Sequence, residues 1–291
     1  MEKSKLVLGT VQLGMAYGIN NTSGQPDMVE AFSILDRAWE SGINTFDTAS
    51  AYGTSEEVLG KWIKSRSIEN SVNVISKIKA SPTNVGQELR ESLAKLHLKA
   101  LDGYMLHSAA DMDQKSVMEG LQAGKEKGDI KHIGVSVYEP REALEGVRAG
   151  FEYIQIPYNV FDRRLDKVGF FEKVAEKNMT VFARSPFLQG LLLMEPNSLP
   201  MHLSLAKPHI EQFRKIAVTH ALSPLETALL YVDSHPGISH IIFGVETVAQ
   251  LDEINAAWNK RDAHAECIRA LSGTFVDVDE SIVNPRAWSL A

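Results

Sequence analysis

Four side chains in this 291-residue sequence could share one reaction: Asp47, Tyr52, Lys77 and His107. Asp47, Lys77 and His107 stand 30 residues apart, and Tyr52 follows Asp47 by five, just before Gly53. An acid that closes a buried apolar run is costly unless it meets a cation or hydrogen-bond donors. Lys77 beside Asp47 would form such a pair, each offsetting the other's desolvation. The lysine cation would also favour the Tyr52 phenolate and lower a pKa that starts near ~10, which makes the phenol a usable proton donor at neutral pH. His107, held neutral, could donate a hydrogen bond to a carbonyl oxygen and orient it. A phenol that protonates a carbonyl oxygen implies a hydride arriving at carbon, and the hydride needs a nicotinamide or flavin. Each residue also has an ordinary structural account. Lys77 could reach from a strand end to solvent, His107 could be bonded in a core, Asp47 could cap a turn, and Tyr52 could simply pack. Only convergence on one face favours the chemistry.

Eight apolar runs read as strands: Lys5–Gly9, Ile43–Phe46, Val72–Ile78, Leu101–Leu106, Lys131–Val137, Tyr153–Ile156, Thr180–Ala183 and His240–Phe243. Helical spacing of apolar residues falls between them, over Met28–Ser41 with Asp27 as N-cap, Ser55–Ser65, Asn84–His97, Gln114–Lys127, Pro140–Ala149 and Asp166–Asn178. Further helices are expected over Lys207–Ala221, Pro224–Ser234 and Thr247–Trp258, with 10–27 a loop and the tail from Ser272 irregular. Strands alternating with helices predict a parallel α/β sheet, and eight units favour a closed (β/α)8 TIM barrel. The 30-residue spacing is the length of one strand–helix unit. No linker divides the chain, so residues 1–291 read as a single domain with a C-terminal tail over 272–291. Gly9, Asp47, Lys77, His107, Ser136, Gln155, Ser185 and Gly244 all fall at strand C-terminal ends, and in such a barrel those ends share one face.

Composition narrows the partners. The formal net charge of -7 weighs against nucleic acid and anionic membrane surfaces. No apolar run approaches the roughly 20 residues that span a bilayer. A single cysteine, Cys267, excludes an internal disulfide and suits a reducing compartment, so with no signal peptide legible a cytoplasmic location is expected. A small-molecule carbonyl substrate is expected and no metal; no protein partner is indicated.

The sequence resembles the aldo-keto reductases over essentially its whole length. The resemblance rests on Asp47-Thr-Ala-Ser-Ala-Tyr52-Gly53, Lys77 in Val-Ile-Ser-Lys-Ile, His107 in Tyr-Met-Leu-His, and Gly134-Val-Ser136. It continues through Gln155 in Ile-Gln-Ile-Pro-Tyr-Asn, Ser185-Pro186 followed by Gln189-Gly190-Leu191-Leu192, and Gly244. It implies Tyr52 as proton donor, Lys77 and Asp47 as the groups that tune it, and His107 as the group that orients the substrate. It further implies a nicotinamide dinucleotide, usually the 2′-phosphorylated NADP, bound without a Gly-x-Gly-x-x-Gly loop. Gly9, Thr10, Val11 and Asp47 would lie near the nicotinamide ribose, and Ser136 and Gln155 at the carboxamide. Ser185, Pro186, Leu188 and Gly190 would line the pyrophosphate loop. Phe243, Gly244, Val245, Glu246, Thr247, Gln250 and Glu253 would hold the adenosine end, where a helix N-terminus suits an anion.

Four positions depart from the family's pattern, one of them Ile254, which replaces the asparagine that follows Glu253, with Asn255 one step on. Val137 replaces an asparagine that contacts the carboxamide. Arg184 stands where an aromatic residue stacks on the nicotinamide. Glu246 replaces a basic residue that grips the 2′-phosphate, which brings NAD into consideration. Tyr17 and Trp288 could frame the substrate. Phe161-Asp-Arg-Arg164 could meet an anionic ligand or form structural ion pairs. The main expectation is reduction of an aldehyde or ketone, with a sugar-like carbonyl in view. The alternative is a nicotinamide-binding regulatory protein with little turnover. A Schiff-base lyase built on Lys77 leaves Ser136, Gln155 and Ser185 unexplained.

Overall fold

The computed structural model describes residues 3–21, 23–79, 83–260 and 264–288. Eight parallel strands close a barrel in chain order. They are β1 (Leu6–Gly9), β2 (Thr45–Asp47), β3 (Asn73–Ile78), β4 (Leu101–Leu106), β5 (Ile130–Ser136), β6 (Tyr153–Pro157), β7 (Thr180–Arg184) and β8 (His240–Phe243). The expected (β/α)8 barrel is the observed one, with helices on its outside. Among the described residues no helix is long and apolar enough to cross a membrane.

Strand side chains alternate between the barrel interior and the helix layer. Val7, Ile75, Met105, Tyr153, Phe182 and Ile242 form a buried cluster of their own, apart from the larger apolar layer under the helices. Two residues further along the same strands come Gly9, Lys77, His107, Gln155, Arg184 and Gly244. The site is therefore the next interior layer, at the C-terminal rim. Register joins its members: Gly9 lies opposite Asp47, and Ser136 opposite Gln155. The layer beneath is packed by pairing large with small residues. A Cβ on Gly103 would stand 2.9 Å from the Tyr153 ring, and one on Gly134 2.8 Å from Tyr153 Cβ. At the opposite end Lys3 and Tyr153 bond to each other and to Asp102, which closes the barrel floor.

Several boundaries differ from expectation. The second strand begins at Thr45 and includes Asp47, because Gly42 (φ 84°) ends the preceding helix and Ile43–Asn44 is the connection. The segment 10–27 holds a one-turn helix, Val11–Gly14. The stretch expected as one helix over 166–178 breaks at Gly169 (φ 64°) into a 3-10 turn, Arg164–Val168, and a helix, Phe170–Glu176. The tail is not irregular. Helices Ala265–Thr274 and Glu280–Val283 bury Cys267, Leu271, Ile282 and Val283 against the barrel, and a turn over Pro285–Ala287 follows. The last three residues of the expected tail lie outside the described residues.

Candidate active site

The loop after β2 carries Tyr52 back over the end of β3. Thr48 N–H donates to Ile75, and both Ser50 N–H and Ser50 Oγ donate to the Lys77 carbonyl. This stitching sets the phenol above the lysine. Lys77 Nζ donates to Asp47 Oδ2 (2.7 Å), to the Thr48 carbonyl (2.9 Å) and to Tyr52 Oη (3.3 Å). Lys77 is fully buried and Asp47 nearly so. The second Asp47 oxygen accepts from Gln155 Nε2 (2.7 Å), and Gln155 Oε1 accepts from Ser136 Oγ (3.3 Å). The result is one continuous chain, Ser136–Gln155–Asp47–Lys77–Tyr52, across the barrel mouth. All three Lys77 protons find acceptors, and both Asp47 oxygens find donors, which a buried pair requires. His107 meets the Tyr52 ring edge-on with centroids 5.6 Å apart. Its ring nitrogens make no hydrogen bond to other described residues.

Burial works against the Lys77 charge, but Asp47 and Tyr52 outweigh it and leave its pKa above the ordinary value. Tyr52 departs from the expected lowered value. Burial raises its pKa more than Lys77 lowers it, and it stands above the usual phenol range. The phenol thus keeps its proton at neutral pH, while Lys77 stands ready to stabilise the phenolate once that proton leaves. Burial first, then Lys77, Arg184 and Arg286, push His107 down to about 4, so its imidazole is neutral at pH 7.

That shift sets a pH dependence of stability. Unfolded, His107 binds a proton near 6.5; folded, only near about 4. The unfolded state binds more protons between those values, so stability falls as pH drops through that window, by up to about 3 kcal/mol. Urea melts of wild type and His107→Gln at pH 7 and 4.5 should show the variant losing about 2–3 kcal/mol less on acidification.

A cavity of about 560 Å³ opens beside this chain and runs to the segment after β8. That size lies within the roughly 300–1,000 Å³ of small-molecule sites. Gly9, Val11, Asp47, Tyr52, His107, Ser136 and Gln155 line it, with Tyr17 at the mouth. Arg184, Ser185, Pro186, Gly190, Phe243, Gly244, Val245, Glu246, Gln250 and Glu253 continue the wall. Ser185, Leu188 and Gln189 all have positive φ (59°, 48° and 54°), so the loop after β7 is held in a strained form typical of ligand-binding segments.

Five expected residues stand outside the wall. Lys77 lies beneath it, bonded to Tyr52 Oη. Thr10 turns inward, donating to the Asp47 carbonyl and bonding Ser55 Oγ, so it ties β1 to β2 and the next helix. Leu188 is buried in the apolar layer. Thr247 caps the helix Val248–Asn259 through Gln250 N–H. Trp288 is buried, its Nε1 donating to the Ile282 carbonyl, and it anchors the tail instead of facing the cavity. Arg163 and Arg164 make structural ion pairs with Asp166 and with Asp162, Glu139 and Glu280.

Of the lining residues that were not singled out from sequence, Gln12 and Tyr138 bring polar groups to the wall. Gln12 is buried against Gly244, and its Oε1 has no hydrogen-bond partner among the described residues. Tyr138 lies in the wall between two guanidinium groups. Nothing local marks either residue, because their neighbours are remote in sequence. Among the described residues no group of three His, Cys, Asp or Glu side chains could hold a metal ion.

Comparison with known proteins adds independent findings. The family model described as "Aldo/keto reductase family" matches residues 5–272. An uncharacterized oxidoreductase of Bacillus subtilis is 29% identical over 300 residues, covering 93% of this chain and 95% of that protein. L-galactose dehydrogenase of Arabidopsis thaliana is 27% identical over 253 residues, covering 78% and 77%. An aldo-keto reductase of Bacillus halodurans, solved in its holo form, superposes with a TM-score of 0.79 over 97% of this chain and 96% of that one. At 22% identity that likeness speaks for the fold.

Proposed function

The chain belongs to the aldo/keto reductase family, and from that premise we propose that it reduces an aldehyde or ketone to the alcohol with a nicotinamide dinucleotide, Tyr52 supplying the proton. The chain Ser136–Gln155–Asp47–Lys77–Tyr52 carries this reading. It ends in a protonated phenol at the cavity wall, backed by a buried cation.

The bound nicotinamide would supply the hydride. Everything else falls to the protein. His107, neutral at working pH, donates a hydrogen bond to the carbonyl oxygen and holds it toward Tyr52. Tyr52 gives its proton to that oxygen as charge develops there. Lys77, 3.3 Å away, stabilises the phenolate left behind. Asp47 and Gln155 keep the lysine aimed.

The cavity suits a dinucleotide. Gln12 offers a buried acceptor without a donor, which a ribose hydroxyl or an amide would fill. The loop 185–190 and the segment 243–246 offer backbone at the wall. Charge favours one of the two cofactor forms. Glu246 and Glu253 line the far end, and Arg184, the only Lys or Arg among the described residues of the lining, lies at Tyr138 instead. A 2′-phosphate would meet carboxylates there, whereas a free ribose diol could donate to them. NADH should therefore bind about 3- to 10-fold more tightly than NADPH, and Glu246→Lys should narrow or reverse that ratio. The named substrate of the L-galactose relative suits a polar, hydroxylated carbonyl in this polar mouth.

Fluorescence titration with NADH and NADPH, followed by a panel of aldehydes and keto sugars, tests the reading. Binding with turnover supports the reductase. Tight binding with no turnover across the panel would favour a redox-sensing protein of the same fold. Failure to bind either nucleotide would overturn both.

A further inference from the structure

The cavity wall contains a cation without an acid. Arg184, at the end of β7, is half-buried, yet it makes no ion pair among the described residues. Its contacts are a hydrogen bond from Nη2 to the Val137 carbonyl (3.1 Å) and the Tyr138 ring, 4.0 Å from guanidinium to centroid. Among the described residues the other half-buried arginines all find carboxylates: Arg163 with Asp166 (3.0 Å), Arg164 with Asp162 (2.9 Å) and Arg214 with Glu195 (2.5 Å). Desolvating a guanidinium without a counter-charge is costly, so an unpaired one facing a cavity points to an anion supplied from outside.

A second arginine strengthens the field. Arg286, from the C-terminal turn, stacks on Tyr138 at 3.5 Å. Asn284 holds that turn, donating to Glu139 Oε1 and accepting the Arg286 N–H. The nearest acid is Glu142, 3.7 Å from Arg286, and its other oxygen is already occupied by the N–H groups of Tyr138 and Glu139. Arg286 thus has one partly engaged carboxylate, and Arg184 has none among the described residues. Both arginines act on His107, which places their field beside the carbonyl-orienting group. The Tyr138 ring and the Val137 carbonyl hold Arg184 in place, leaving its remaining N–H groups for the flat or tetrahedral oxygens of an acid.

Resting on the reductase reading, we propose that the substrate is a carbonyl compound bearing a carboxylate or phosphate, which docks on Arg184 beside Tyr138 with Arg286 reinforcing the field. The carbonyl then lies toward Tyr52 and His107, and the anionic group toward the β5 and β7 loops.

Matched pairs test this: succinic semialdehyde against butanal, and glyceraldehyde 3-phosphate against glyceraldehyde, in wild type, Arg184→Met and Arg286→Met. The quantity to read is the ratio of kcat/KM within each pair, in which effects on cofactor binding cancel. Wild type should favour the anionic member of at least one pair by about 10- to 100-fold; which pair tells carboxylate from phosphate. Arg184→Met should remove about tenfold or more of that preference, Arg286→Met about threefold, and added salt should erode it. A wild-type ratio near one, or an Arg184→Met variant that slows both members equally, would overturn the proposal and assign Arg184 to the cofactor or the fold. If neither pair turns over, fluorescence titration with 4-carboxybenzaldehyde and benzaldehyde decides. Binding of the anionic aldehyde that depends on Arg184 keeps the anion site while the reductase reading falls; its absence overturns the site as well.

Discussion

Tyr52→Phe is expected to lower kcat by about 10²–10⁴-fold, the usual share of a positioned general acid. The loss should appear in kcat and in kcat/KM alike, because the missing proton matters only as charge builds on the carbonyl oxygen. The fold should tolerate the change. The ring stays to meet His107, and Lys77 keeps its shorter bonds to Asp47 (2.7 Å) and the Thr48 carbonyl (2.9 Å). Stability should shift by no more than about 1 kcal/mol, the worth of one modest hydrogen bond. Nor can a neighbour replace the donor at neutral pH. His107, with its pKa near about 4, carries no spare proton, and Tyr17, at about 12, sits at the mouth without a lysine beneath it. Because the Tyr52 pKa stands above its usual value, wild-type reduction should show no loss of the acid form through pH 6–9, a plateau that steady-state rates would reveal. A phenylalanine variant within about tenfold of wild type would remove Tyr52 from the chemistry.

What could be read from the sequence follows from parity. A 30-residue repeat is one strand–helix unit, and a period of two within each strand sends every other side chain inward. Asp47, Lys77, His107 and Gln155 could be placed on one rim because both periods are local; Arg184 was marked only by its departure from the family's pattern. Contacts across the barrel were not local. Gln155 belongs to β6 and Asp47 to β2, so the bond that locks the pair needed closure to become visible. The Tyr52 pKa went the other way because the depth of burial, and not the presence of Lys77, fixes its sign. Thr10, Leu188 and Thr247 sit in the right segments, but their side chains serve the turn, the core and a cap. The tail shows the same limit. Trp288 is the residue that draws the eye, yet its size makes it the anchor, and the exposed Arg286 is what lies over Tyr138, which lines the cavity.

Lys77→Met tests the other end of the chain and should cost stability as well as rate. Methionine nearly matches the lysine stem in volume, so packing is kept and the charge alone is removed. Asp47 is then left nearly buried with only the Gln155 amide as a side-chain partner. Breaking one half of such a pair costs about 3–5 kcal/mol, measurable as a lower urea midpoint with an unchanged slope. Turnover should fall by at least as much as in Tyr52→Phe, since the phenolate loses its cation. Two causes are then mixed, and a second substitution separates them. Adding Asp47→Asn removes the stranded carboxylate and should recover all but about 1–2 kcal/mol of the stability. Turnover should stay low in the double variant, because the neutral amide restores the fold but supplies no positive charge to Tyr52. Recovery of both together would make the pair a structural brace. Recovery of stability alone would mean that the barrel tolerates a buried ion pair at its rim because the reaction there uses the cation.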